Sequence, residues 1–387
     1  MTRADPSAPY LLTPGPLTTA PSVRQAMLRD WGSRDDDFIA LTREMRTRLV
    51  AMLEEAHEDY DCVPMQGSGT FSVEAMLNSF IPAGGKALIP SNGAYARRIA
   101  KVMDCLGRAA TVLEKGDGQP LCGADISEAL ARDPAITHVV AVHCETSSGM
   151  LNPLSAMASA TRQAGRRFLI DSMSAFGALP LSPSDVPFDA VVSSANKCIE
   201  GVPGFAFIVA RKDALEEACG NSRSLSLDVH DQWSHMNRTG QWRFTPPTQC
   251  IAAFVEALRL HEAEGGVAGR GARYARNRDV LVSGMRDAGF VTLLDDRWQS
   301  PVIVTFLCPA DAAFDFDLFY ERMKARGFVI YPGKQTAVES FRIGCIGDLD
   351  EDVMRQVVAA ARASLSDMGV ASAAPLLVQS SAEESQR

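Results

Sequence analysis

The sequence lacks the features that mark several large protein classes. It has no run approaching about 18 uninterrupted apolar residues, which leaves no ordinary membrane-spanning helix to be expected. Its opening, Met1-Thr2-Arg3-Ala4-Asp5-Pro6-Ser7-Ala8-Pro9-Tyr10, holds no apolar leader core, so an unprocessed chain is expected. Basic residues never gather into a block of five or more, and the formal net charge is −9 with a pI near 5.3. A nucleic-acid partner is therefore not expected, because nothing neutralises a phosphate backbone; small anions remain possible local ligands. The nine cysteines, at 62, 105, 122, 144, 198, 219, 250, 308 and 345, form no C-x-x-C pair. An odd, scattered set makes no complete disulfide framework, which points to a reducing, cytoplasmic compartment.

What is present is a globular balance: 387 residues, 46% apolar and 22% charged, enough for two domains and a sizeable core. Short apolar runs alternate with amphipathic stretches, the pattern of an α/β fold with a mainly parallel sheet covered by helices. Strands are predicted at 60–65, 86–89, 138–143, 167–171, 188–192 and 205–210, and helices at 72–81, 153–164 and 249–261. The Gly-rich 264–271 reads as the exit from this large domain. Beyond it, strands at 301–306, 328–331 and 340–344 and a helix at 315–324 predict a smaller α+β domain. The resulting division is an N-terminal segment 1–20, a large domain 21–262, a small domain 263–371 and a disordered tail 372–387, which has too few apolar residues to pack. No internal repeat is found.

Chemistry-bearing residues cluster just after the predicted strands, where open α/β sheets place ligands. Asp171 ends one strand, and Lys197 follows another twenty-six residues later, in Ser193-Ser194-Ala195-Asn196-Lys197. Taken alone, the two read first as a solvated loop lysine and a helix-capping aspartate. Together they also suit a carbonyl cofactor such as pyridoxal 5'-phosphate, with the amine as covalent anchor and the carboxylate keeping a pyridine nitrogen protonated. Gln66-Gly67-Ser68-Gly69-Thr70 lies between a strand and a helix, so its N–H groups and hydroxyls suit a phosphate or simply a capped turn. That loop has neither the G-x-G-x-x-G spacing nor a Walker lysine, which disfavours dinucleotides and nucleoside triphosphates. Tyr95, in Asn92-Gly93-Ala94-Tyr95, is a stacking partner for a flat ring or a half-buried loop tyrosine. His143 opens His143-Cys144-Glu145-Thr146-Ser147-Ser148-Gly149; without a second ligand at metal spacing it reads as a structural histidine, and no metal site is expected. Arg342, a charge inside a strand of the small domain, requires an anion, either a substrate carboxylate or an interdomain carboxylate. Trp242 to Thr248, with two prolines, reads as a helix entrance.

Five elements then stand in one order: T-P-G-P near the start, Q-G-S-G-T, H-C-E-T-S-S-G-M-L-N-P, D-S-M-S-A-F-G, and S-S-A-N-K-C-I-E-G-V-P-G-F. Together, from about Leu11 to Leu365, they resemble the class V aminotransferases, pyridoxal-phosphate enzymes of fold type I. The lysine segment and F-R-I-G-C-I-G near the end are most similar to members that use 2-aminoethylphosphonate and pyruvate. The resemblance implies the fold-type-I architecture, a homodimer with shared active sites, and transfer of the donor's amino group to pyruvate, giving phosphonoacetaldehyde and alanine. It assigns the covalent anchor and proton shuttle to Lys197 and the pyridinium partner to Asp171. Ser68, Gly69 and Thr70 would hold the phosphate, aided by Ser194 or Asn196, with Tyr95 on the ring and Thr146 at its phenolic oxygen. Thr245 would reach the phosphate in the partner subunit. Arg342 would bind the pyruvate carboxylate, while Thr13 to Pro16, including Gly15, and Trp31 to Asp35, including Arg34, would line the substrate entrance. Arg34, Arg243 and Arg342 are the candidates for the phosphonate. An alanine- or serine-glyoxylate aminotransferase is the alternative within the class, and a non-catalytic scaffold the alternative outside it. A cysteine desulfurase fits less well, because its lysine follows a histidine and Asn196 stands here instead.

Overall fold

In a computed structural model, which describes residues 8–53, 57–333 and 338–376, the large sheet has seven strands. Across the sheet they run Tyr60–Gln66, Phe205–Arg211, Ala190–Ser194, Arg167–Asp171, His138–Val142, Lys86–Ser91 and Ala109–Glu114. Only Phe205–Arg211 is antiparallel to its neighbours. The central strands are apolar on both sides, as in His138-Val-Val-Ala-Val142 and Ala190-Val-Val-Ser-Ser194, because helices cover both faces. One face packs Phe38, Met45, Ile126, Met157 and Phe254 from helices Asp36–Ala51, Gly123–Arg132, Leu154–Gln163 and Thr248–Ala263. The other packs Val73, Met76, Leu77, Ile99 and Met103 from helices Gly69–Phe80 and Ala94–Cys105.

The expected α/β architecture is therefore present, with local differences that have physical causes. Ala109–Glu114 is absent from the sequence reading; it is a sheet edge, largely exposed, held by pairing with Lys86–Ser91. The strand predicted at 188–192 lies at Ala190–Ser194, which carries the sheet two residues closer to Lys197. The helix predicted from 72 starts at Gly69, so its first turn takes in the Gly-Ser-Gly-Thr loop.

In the carboxyl-terminal part, Ile303–Leu307, Ser340–Gly344 and Tyr331–Pro332 form an antiparallel three-stranded sheet. Helices Gly266–Asp287, Phe316–Ala325 and Glu351–Met368 pack on it around Phe290, Phe306, Phe319 and Phe341. The single strand predicted at 328–331 is split at Ile330. Phe328–Val329 pairs in parallel with Tyr10–Leu11, whereas Tyr331–Pro332 pairs with Ser340–Gly344. The N-terminal segment thus joins the carboxyl-terminal core, where Leu12 is fully buried. The Gly-rich 264–271 is mostly helix rather than linker: after Gly265 at φ 102°, a helix runs from Gly266 to Asp287. Glycine is required there for closeness, since a Cβ at Gly269 would lie 2.0 Å from Glu264 O and one at Gly271 would lie 2.3 Å from Ala178 O. Residues 372–376 are described, with Ala373 buried and Ala310 N–H donating to Ala374 O at 2.9 Å; the rest of the expected tail lies outside the described residues. No helix among the described residues is long and apolar enough to cross a membrane.

Candidate active site

The carboxyl ends of the parallel strands deliver most of the singled-out residues to one edge of the sheet. Asp171 ends its strand, Lys197 follows Ser194 by three residues, and Thr146 and Tyr95 follow Val142 and Ser91 by four. Ser68 precedes helix Gly69–Phe80 and Thr70 lies in its first turn, just past the strand that ends at Gln66.

The Lys197 side chain ends against the N-terminal segment, its Nζ donating to Pro14 O at 2.6 Å and lying 3.3 Å from Gly15 O. Gly15, at φ 105°, must be glycine here, because a Cβ would lie 2.6 Å from Asn196 O and 2.7 Å from Lys197 Cδ. Thr13 holds this turn closed: its hydroxyl donates to Pro16 O and accepts from Gly15 N–H. Loss of solvation lowers the lysine pKa to about 8, against a weaker opposing pull from Cys198 and Asp171.

Burial moves Asp171 the other way, up to about 6, opposed by the N–H of Met173, which donates to Oδ1 at 3.0 Å. Lys197 and Arg98 attract this carboxylate at a distance, but neither forms an ion pair with it. A buried carboxylate without a bonded cation is costly, so the site is built for a cationic N–H that the protein's described side chains do not provide. Ser194 Oγ is likewise buried and partnerless. Ser68 makes no side-chain cap, which leaves the first turn of helix Gly69–Phe80 open to an anion. Gly69 packs that turn against the Asp171 loop, since a Cβ there would lie 2.5 Å from Met173 Sδ. An orphaned hydroxyl, an uncapped helix start, a cation-seeking carboxylate and an amine of lowered pKa fit a phosphorylated pyridine aldehyde.

Arg342 Nη1 donates to Thr146 O at 2.8 Å and Nη2 to Pro332 O at 3.1 Å, while its buried Nε has no partner. Burial lowers its pKa. The interdomain salt bridge left open by the sequence is not formed among the described residues: carbonyls hold this guanidinium, and its charge is left for another anion. Tyr95 is half-buried, with the Arg98 guanidinium 4.7 Å from its ring centroid. His143 is a buried histidine with Nδ1 3.0 Å from Ser172 Oγ, and burial drops its pKa to about 4, which keeps it neutral.

Three candidates are not drawn into this cluster within one chain. Arg34 is exposed before helix Asp36–Ala51 and has no bond to the lysine or Asp171. Arg243 pairs with Asp231 at 3.0 Å and donates to Leu225 O. Thr245 is exposed, its carbonyl accepting from Gln66 Nε2 beside the phosphate-suited loop.

Sequence reasoning passed over Glu145 except as one member of a polar run. Its buried carboxylate accepts from Tyr95 N–H at 3.1 Å, Ala96 N–H at 3.2 Å and Ser147 Oγ at 2.5 Å, and so caps the helix that carries Tyr95. No sequence signal marks this role; the fold requires Gly93 beside it, since a Cβ there would lie 2.3 Å from Glu145 Cδ. Arg98 was also missed, although its i+3 spacing from Tyr95 places the two on one helix face.

The chain is similar throughout its length to known proteins. It is 64% identical over 367 residues to the 2-aminoethylphosphonate–pyruvate transaminase of Rhizobium meliloti, covering 95% of this chain and 96% of that one. It is 63% identical to 2-aminoethylphosphonate–pyruvate transaminase 1 of Paraburkholderia xenovorans, over 95% of this chain and 94% of that one. Among solved structures, the ureidoglycine–glyoxylate aminotransferase of Bacillus subtilis superposes with a TM-score of 0.86 at 22% identity, over 95% of each chain. The pyridoxamine–pyruvate aminotransferase of Mesorhizobium loti also gives 0.86, at 21% identity over 95% of each chain. The strand-end lysine and aspartate lie within residues 23–364, all of which match the model of one family, and the chain belongs to it: the class-V aminotransferases.

Proposed function

We propose that this chain is a pyridoxal-phosphate-dependent transaminase that moves the amino group of 2-aminoethylphosphonate to pyruvate, releasing phosphonoacetaldehyde and L-alanine. The observation that carries the chemistry is the pairing of Lys197, lowered to about 8, with Asp171, buried and without a bonded cation. The donor is supported by near-full-length relatives at 63–64% identity that bear this activity in their names.

When bound, the cofactor supplies a carbonyl carbon conjugated to an electron-accepting ring. The protein's own residues do the rest. Lys197 would provide the covalent hold and, when freed, its amine would accept and return the donor's Cα proton. Asp171 would keep a proton on the ring nitrogen. Ser68, Gly69, Thr70 and Ser194 would hold the phosphate with Asn196 beside them, Tyr95 would cover the ring and Thr146 would meet the phenolic oxygen. Arg342 orients the pyruvate carboxylate through its unsatisfied edge and is the best-placed candidate for the phosphonate, ahead of Arg34 and Arg243. Thr13, Gly15 and Arg34 border the entrance.

The working unit in this reading is a cytoplasmic homodimer in which Thr245 serves the partner's phosphate site. Exposed Phe71, Leu225 and Phe244 around Thr245 and the Gly67–Thr70 loop supply apolar surface for such a contact. The nine cysteines, all free, support a reducing compartment.

Incubating the purified protein with 2-aminoethylphosphonate and pyruvate and following alanine tests the assignment. Consumption of alanine with glyoxylate, together with indifference to 2-aminoethylphosphonate, would replace it with a glyoxylate aminotransferase. A preparation that stays colourless after pyridoxal phosphate is added would favour a scaffold.

A further inference from the structure

Among the described residues Glu200 is the one amino acid other than glycine with a positive φ, 64°. L residues hold this conformation only where the surroundings over-determine it. Glu200 closes the turn that begins at Lys197, its N–H donating to Lys197 O at 2.8 Å. What over-determines it is a buried set of charges. The Glu200 carboxylate receives Tyr274 OH at 2.5 Å, Arg273 Nη2 at 2.8 Å and, more distantly, Arg270 Nη1 at 3.5 Å. Arg270 Nη1 also donates to Cys198 O at 2.6 Å, directly after the lysine. Glu264 completes the balance of two carboxylates and two guanidiniums, at 2.6 Å from Arg270 Nε and 2.7 Å from Arg273 Nε.

Arg273 also reaches the segment beyond the carboxyl-terminal sheet. Its Nη1 donates to Gly347 O at 2.6 Å and to Leu349 O at 2.9 Å, just beyond the Ser340–Gly344 strand that carries Arg342. Asn277, one helical turn further on, donates to Cys345 O and Leu349 O, each at 3.1 Å. One guanidinium therefore spans the turn that holds the lysine and the segment that follows the carboxylate-binding arginine. Buried ion networks are a poor source of stability, because desolvating the charges offsets most of their attraction. Their contribution is directional, since each donor is committed to one acceptor.

We infer that Glu200 and Arg273 are positioning residues that keep the Lys197 turn in register with the Arg342 strand, and so set the separation between the amine and the bound keto acid. The inference rests on the transaminase reading above. Neither residue bonds to the Lys197 amine or to the Arg342 guanidinium, so each acts through the backbone it holds.

The test uses the full-length enzyme loaded with pyridoxal phosphate, comparing Glu200→Gln, Arg273→Lys and Tyr274→Phe with the parent. Cofactor content, melting temperature, KM and kcat for pyruvate, and the pH titration of the bound cofactor's absorbance are measured for each. The expected result is retained cofactor, a KM for pyruvate raised about tenfold, in the range typical of coupled sites, a displaced absorbance titration, and non-additive effects when Glu200→Gln and Arg273→Lys are combined. Variants that melt earlier but keep the parent's KM and absorbance titration would reduce the network to a structural role and overturn the inference. Should Glu200→Gln fail to fold, Tyr274→Phe removes a single hydroxyl from the same carboxylate and decides by the same readouts. A parent that forms no borohydride-reducible bond at Lys197 would overturn the transaminase reading, and this inference with it; an active parent with unaltered variants sinks the inference alone.

Discussion

Asp171 and Arg342 are buried charges whose counterions are missing from the protein's own described side chains. An isolated charge of this kind costs several kcal/mol unless something pairs with it, so each is poised for a ligand. Asp171→Asn is expected to keep the cofactor bound while lowering turnover by about 10²–10³-fold, since it removes the charge that stabilises the protonated ring. Steady-state rates at matched cofactor content check this, and near-normal turnover would end the assignment. Lys197 supports a pH prediction. Only the neutral amine attacks a carbonyl, and it predominates above its pKa, so colour development on mixing cofactor-free protein with pyridoxal phosphate should accelerate as pH rises through about 8 and then level off. A rise centred near the ordinary lysine value of 10.5, seen by stopped-flow absorbance, would contradict it. Both residues were legible in the sequence, because a lysine and an aspartate just after apolar runs carry a chemical reading. Glu145 and Glu200 were not: their roles depend on which backbone N–H groups and guanidiniums the fold brings to them.

At the scale of elements, the site is made by strand ends and by one segment the sheet does not contain. Leu12, just before Thr13-Pro14-Gly15-Pro16, accepts from Gly344 N–H at 2.9 Å, and the turn itself meets Lys197 through Pro14 O. Gly15→Ala should lower stability by about 1–3 kcal/mol from backbone strain and weaken cofactor binding, because its methyl would overlap Asn196 O and the lysine side chain. Gly69→Ala should be milder, since the atom it meets is the flexible Met173 Sδ. Thermal melts and cofactor titrations on the two variants check the order, and an equal effect would contradict it. The T-P-G-P turn was visible as a motif, but its contact with a lysine some 180 residues later was not. Edge strand Ala109–Glu114 escaped notice although Ala109, Ala110, Val112 and Leu113 are apolar: most of its residues are exposed, and only pairing with Lys86–Ser91 defines it.

For the whole molecule, the expected homodimer makes a prediction that separates the roles of two residues. Lys197→Ala subunits and Thr245→Ala subunits, each impaired alone, should recover partial activity when mixed and allowed to exchange, because one hybrid site carries both native residues. A single monomeric species in sedimentation, or a mixture no more active than its parts, would place Thr245 in its own subunit's site or outside any site. The α/β class, the approximate limits of most strands and helices, and the strand-end location of Lys197 and Asp171 can be read from the chain alone. These follow from local periodicity and from the rule that parallel sheets bind at their carboxyl ends. Packing alone settles that Arg342 is held by carbonyls rather than a carboxylate, that the N-terminal turn abuts the lysine amine, and that Arg273 ties the lysine turn to Gly347 and Leu349. Each of these joins residues far apart in the chain, and their burial and hydrogen-bond partners exist only once the chain has folded.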